Sequence, residues 1–93
     1  MTDQPIRRTV EIVNARGLHA RASAKFVKLA SGFDAEVKVV RDGTAVDARS
    51  IMGLLMLGAG KGSCIDIEAE GPQAAEALDA LCALVAARFD EEA

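Results

Sequence analysis

The 93-residue chain has no tryptophan, no tyrosine, three phenylalanines, two cysteines and a single histidine, and each scarcity removes a class of function. So few aromatic rings leave no platform on which nucleic-acid bases could stack. Cys64 and Cys82 lack the C-x-x-C spacing of metal and redox motifs, and one histidine supplies no further ligand set. Two reduced, unpaired thiols and no metal are expected. The longest apolar stretch, Ile51 to Leu57, is broken by Gly53 and far too short to cross a bilayer. The opening MTDQPIRRTV has two arginines but no apolar run behind them, unlike a signal peptide, so the expectation is a soluble, cytoplasmic chain. A length of 93 residues suits one domain over 1–93 and excludes a nucleotide-binding domain joined to a substrate domain.

What is present is unevenly placed. Met1 to Ala30 carries six Lys/Arg against two Asp/Glu, whereas Gly62 to Ala93 carries one against eight, so the net charge of −3 hides a gradient. The basic end, with Arg16, Arg21, Lys25 and Lys28, suits an anionic ligand or an acidic partner. Periodicity then predicts the elements. Arg8 to Val13 alternates as a strand, and Ala22, Phe26, Leu29 and Ala30 recur at helical spacing between about Ala20 and Ser31. Glu36 to Val40 and Thr44 to Val46 flank Asp42-Gly43, a hairpin turn dipeptide. Ser50 caps a short helix to Leu57, GAGKGS turns the chain, and Ser63 to Ala69 alternates again with Cys64 on its polar face. A last helix starts at Pro72 and carries Ala74, Leu78, Leu81 and Val85 down to about Phe89. The order β-α-β-β-α-β-α with one-sided strands predicts an α+β, two-layer open-faced sandwich. Its four-stranded, mainly antiparallel sheet should be covered on one face by three helices.

His19 falls immediately before the first helix, where the leading backbone N–H groups have no intrahelical acceptor and favour an anion. The positive helix end disfavours imidazolium and leaves a ring nitrogen able to act as a nucleophile. Gly17 permits the turn that presents the ring. Arg21 is placed to lay its planar fork on phosphate oxygens, and Arg16 could add a second cation.

GLHAR followed by AKFVKLA, with SIMGLLMLG thirty residues later and GSCIDIEAEG before the last helix, resembles the histidine-containing phosphocarrier (HPr) family. The likeness covers nearly the whole chain. It implies that His19 is phosphorylated by the phosphohistidine of enzyme I of the bacterial phosphoenolpyruvate-dependent phosphotransferase system and passes the group to IIA-type proteins. The chain would be a monomeric carrier rather than an enzyme, with no cofactor. Arg21 and Arg16 would assist, and Ala20, Ala22, Ile51 and Met52 would touch partners. The family's usual proline after the arginine is Ala22 here, which restores an N–H to the first turn. Ser23 is expected to be solvated.

The resemblance also implies that Ser50 is a regulatory phosphorylation site for a dedicated kinase, HPr kinase/phosphorylase, beside its role as helix cap. The helix after it is apolar around its whole circumference, so some of Ile51, Met52, Leu54, Leu55, Met56 and Leu57 must face outward. An NTPase reading of GAGKGS fails, because the P-loop needs GxxxxGK[ST] before a long helix and Lys61 precedes glycine and a strand. A small RNA-binding α+β module is the alternative of another class, opposed by the missing aromatics and the acidic last third. Within the family, sugar uptake and a nitrogen-related or other regulatory relay both fit.

Overall fold

Alternation of apolar and polar residues organises the sheet. In a computed structural model that describes residues 4–93, β4 (Cys64–Glu70) buries Ile65, Ile67 and Ala69, while Cys64 and Glu70 are exposed and Asp66 and Glu68 half-exposed. The first three residues, part of the stretch weighed as a leader, lie outside the described ones. β1 (Ile6–Glu11) flanks β4 on one side, with Val10 opposite Ile65, and β2 (Glu36–Arg41) flanks it on the other, with Val39 opposite Ile67. β3 (Thr44–Asp47) completes the order β1-β4-β2-β3, every neighbour antiparallel. Asp42 (φ 50°) and Gly43 (φ 81°) are both left-handed, as a two-residue hairpin between twisted strands requires.

β1 ends two residues earlier than the alternation suggests. Beyond Glu11, Ile12 bonds to a turn rather than a strand: its N–H donates to Ser63 O at 2.8 Å, and its carbonyl accepts from Gly62 N–H at 2.8 Å. Ile12 stays fully buried all the same.

Three helices cover one face, giving the expected order β-α-β-β-α-β-α. α1 (Ala20–Ala30) lays Ala22, Phe26 and Ala30 into the core at four-residue intervals. Ser23 is buried with them, contrary to its expected solvation, and its hydroxyl donates to the Leu18 carbonyl at 3.2 Å. α2 (Ile51–Met56) packs against α1 and β3, and α3 (Ala74–Ala86) lies over β1 and β4. α3 starts two residues after Pro72. Gln73 is tied across to the Asp34 backbone, donating to its O at 2.9 Å and accepting from its N–H at 2.7 Å, which holds Pro72 in the preceding turn. Leu78, Leu81 and Val85 form the buried stripe. Phe89 is buried too, but from outside the helix, because Arg88, Phe89 and Asp90 are all left-handed (φ 58°, 54° and 64°) and fold the chain back. Among the described residues no helix is long and apolar enough to cross a membrane.

Candidate functional site

The loop before α1 is shaped by one close approach. Gly17 has φ +66°, and a Cβ there would stand 2.7 Å from Ala59 O and 2.8 Å from Gly60 Cα. Leu18, largely buried, donates its N–H to Ala59 O at 2.9 Å. The GAGKGS turn is therefore the ledge on which the loop rests.

The ledge delivers His19 to the N-cap of α1. Its Nδ1 accepts from the Arg21 N–H at 3.2 Å, and its backbone carbonyl accepts the first helical bond, from Ser23 N–H at 2.8 Å. The ring is 17% exposed, open enough for reaction at one side. On the other side Nε2 meets the Glu91 carboxylate Oε2. A backbone N–H pointing at Nδ1 and a carboxylate facing Nε2 match the tautomer with the proton on Nε2 and the lone pair on Nδ1 at the helix end.

Glu91 was not foreseen. It lies 72 positions from His19 in sequence and reaches the ring only through the left-handed turn at Arg88–Asp90. Asn14, fully buried, donates from its amide to Gly17 O at 2.8 Å and to Glu91 Oε1 at 3.0 Å. The Asn14 bond, then the contact with His19 and the charge of Arg16, hold the Glu91 carboxyl below the usual carboxylate range against the opposing effect of burial.

Arg16, Arg21 and Lys25 line a shallow cleft beside the ring, together with Asp90, Glu91 and Glu92. Arg16 and Arg21 are exposed. Lys25 is already engaged, donating to Phe89 O at 2.7 Å. The cleft thus gathers two solvent-facing arginines and three acidic residues, one of which, Glu91, meets the ring at Nε2. Ala20 is exposed at the helix start, whereas Ala22 is fully buried and cannot be a contact residue. Its side chain is part of the stripe with Phe26; only its N–H belongs to the free first turn.

α2 presents the apolar surface that its composition required. Leu54 and Leu57 are buried, while Ile51, Met52, Leu55 and Met56 remain exposed, Met52 to 68% and Met56 to 78%. Ser50 caps this helix, its Oγ accepting from Gly53 N–H at 3.0 Å. Arg41 closes the other end by donating to Leu57 O at 2.8 Å.

A family model described as the PTS HPr component phosphorylation site matches residues 6–87. The chain is 54% identical over 86 residues to the phosphocarrier protein HPr of Cupriavidus necator, covering 92% of this chain and 97% of that one. To the phosphocarrier protein NPr of Escherichia coli it is 49% identical over 88 residues, covering 94% and 98%. Among solved structures, HPr-C-His from Thermoanaerobacter tengcongensis superposes with a TM-score of 0.91 at 42% identity, covering 95% of this chain and 99% of that one. The HPr of Bacillus anthracis does so at 0.82 and 43% identity, covering 85% and 94%.

Proposed function

The chain belongs to the HPr phosphocarrier family of the phosphotransferase system, and from that premise we propose that His19 Nδ1 takes a phosphoryl group from the phosphohistidine of enzyme I and hands it to IIA-type proteins. The observation that carries this reading is the Nδ1 lone pair at the N-terminus of an 11-residue helix, aimed at Arg21 N–H. Attack on phosphorus gives up that cap, worth about 1 kcal/mol. The incoming phosphoryl oxygens offset the loss by accepting from the free first-turn N–H groups, and a guanidinium spreads two donors over the same oxygens. The chain carries the group rather than turning over a substrate. Its role, in sugar uptake or in a regulatory relay, belongs to the cytoplasm and to a monomer.

The rival RNA-binding reading finds little support on the uncovered sheet face, where Glu36, Asp66, Glu68 and Glu70 outnumber Lys38 and Arg7, and Arg7 is already paired with Asp66 and Glu68. Phe26 and Phe89 are buried and Phe33 is half-buried, so no ring is offered for stacking.

Incubated with enzyme I and phosphoenolpyruvate, the protein should gain one acid-labile, alkali-stable phosphate, assignable to Nδ1 by ³¹P NMR. Absence of incorporation from both sugar-branch and nitrogen-branch enzyme I overturns the proposal. Arg21→Ala is expected to melt with the parent, because an exposed arginine adds little to stability, yet to raise the transfer barrier by about 2 kcal/mol. Equal single-turnover rates for the two proteins would show that the backbone donors suffice.

Ser50 is proposed as the regulatory site. A phosphate there adds a charge of about −1.5 to −2 beside exposed Ile51 and Met52, on a surface that a partner must desolvate. The same charge meets free N–H donors at the start of α2, so the fold tolerates it. Ser50→Asp should therefore keep or raise the melting temperature while slowing uptake roughly tenfold at low salt, less at high salt. Unimpaired uptake would leave Ser50 as a cap alone.

A further inference from the structure

We infer that Glu91 is a positioning residue for phosphoryl transfer. With Asn14 behind it, it holds the proton on Nε2, keeps the Nδ1 lone pair available, and stabilises the positive charge that the ring gains on phosphorylation. The inference rests on the reading of His19 as acceptor. In the step, the Nδ1 lone pair forms the new N–P bond as the N–P bond of the donor phosphohistidine breaks. The donor imidazole leaves with that electron pair, the Nε2 proton stays in place, and the His19 ring becomes a phosphoimidazolium. A carboxylate on Nε2–H is the group that favours such a ring, as a buried aspartate does for the histidine of a serine-protease triad. On onward transfer it keeps Nε2 protonated, so the departing group is neutral imidazole.

The surroundings of Glu91 are arranged for this one contact. Three consecutive left-handed residues that are not glycine, Arg88, Phe89 and Asp90, turn the chain back, a conformation held only where its neighbours over-determine it. Those neighbours are the buried Phe89 ring, Lys25 on the Phe89 carbonyl, and Ala15 N–H, which donates to Ala93 O at 3.0 Å. Asn14 spends both amide hydrogens, on Gly17 O and Glu91 Oε1, and its buried Oδ1 has no partner among the described residues. A fold that leaves a buried carbonyl unpaired in order to aim an amide at a carboxylate is orienting that carboxylate. Glu91 also lies beyond residues 6–87, the part that the family model matches.

The test uses the full chain labelled with ¹⁵N-histidine. Ring nitrogen shifts at alkaline pH report the tautomer with no donor present, and single-turnover uptake from phosphorylated enzyme I reports the transfer. In the parent the Nε2–H tautomer should dominate. Glu91→Ala should lose that bias and take up phosphate more than tenfold more slowly, in the maximal rate and not in the concentration dependence, since α2 is untouched. Glu91→Gln, which keeps the shape and an acceptor but no charge, should fall between and guards against a misfolded tail. A parent-like tautomer in Glu91→Ala with uptake within twofold of the parent overturns the inference. Failure of the parent itself to take up phosphate refutes the acceptor reading instead, and the tautomer result still decides whether Glu91 positions the ring.

Discussion

His19→Ala is expected to take up no phosphate from enzyme I, and His19→Asn to take up none either while losing almost no stability. The pair separates two roles of one side chain. As a cap, His19 accepts from Arg21 N–H over a long 3.2 Å bond, so truncation to alanine should cost about 1 kcal/mol. Asparagine is among the best N-caps and restores that contribution. As a nucleophile, no substitute exists: the chain has no second histidine, and an amide nitrogen has no lone pair basic enough to attack phosphorus. A protein that melts like the parent yet stays unlabelled therefore assigns the phosphate to the ring rather than to the fold around it. Acid-labile, alkali-stable label on His19→Asn would refute the acceptor assignment.

The parts of this site that a sequence can reveal are those fixed by local geometry. GLHAR set against a helical period was enough to put His19 at an N-cap, and the alternation through Ile65, Ile67 and Ala69 marked the strand between β1 and β2. Asp42-Gly43 announced its hairpin because both residues adopt positive φ at little cost. Glu91 and Asn14 were invisible for the opposite reason: their contacts span 72 and 77 positions and depend on a turn at Arg88–Asp90 in which Arg88 and Phe89 carry no turn signal and Asp90 alone is a turn-prone type. Ala22 shows two signals in competition. Its spacing with Phe26 and Ala30 placed it in the core, the family resemblance placed it at a partner surface, and burial sides with the spacing. Ser23 misled through its residue type, since a hydroxyl satisfied by the Leu18 carbonyl is as easily buried as an alanine.

The ledge under the loop supplies the other large effect, because Gly17→Ala should destabilise the domain and displace the site together. Two costs add at this position. The left-handed φ of +66° penalises any Cβ by roughly 1–2 kcal/mol. The new methyl would also lie 2.7 Å from Ala59 O and 2.8 Å from Gly60 Cα, and because both atoms are backbone, no rotamer change can clear them. The loop or the ledge must shift, which strains Leu18 N–H on Ala59 O and Asn14 on Gly17 O, so the total should reach about 3 kcal/mol. For a domain of this size that is a fall of roughly 10–20 °C in melting temperature. Gly60→Ala is the control, since a Cβ there meets nothing within 4 Å and its φ is ordinary; it should melt within a few degrees of the parent. Function should fall further than folding. His19 lies two residues beyond the clash, and a displacement of about 1 Å at a reacting nitrogen is enough to cost ~10²-fold in rate. Uptake by Gly17→Ala, measured well below its melting temperature, should therefore lag the parent by about that factor. Parent-like melting and parent-like uptake in this variant would mean that the loop does not rest on Ala59 and Gly60, and that something other than this ledge holds the histidine at the helix end.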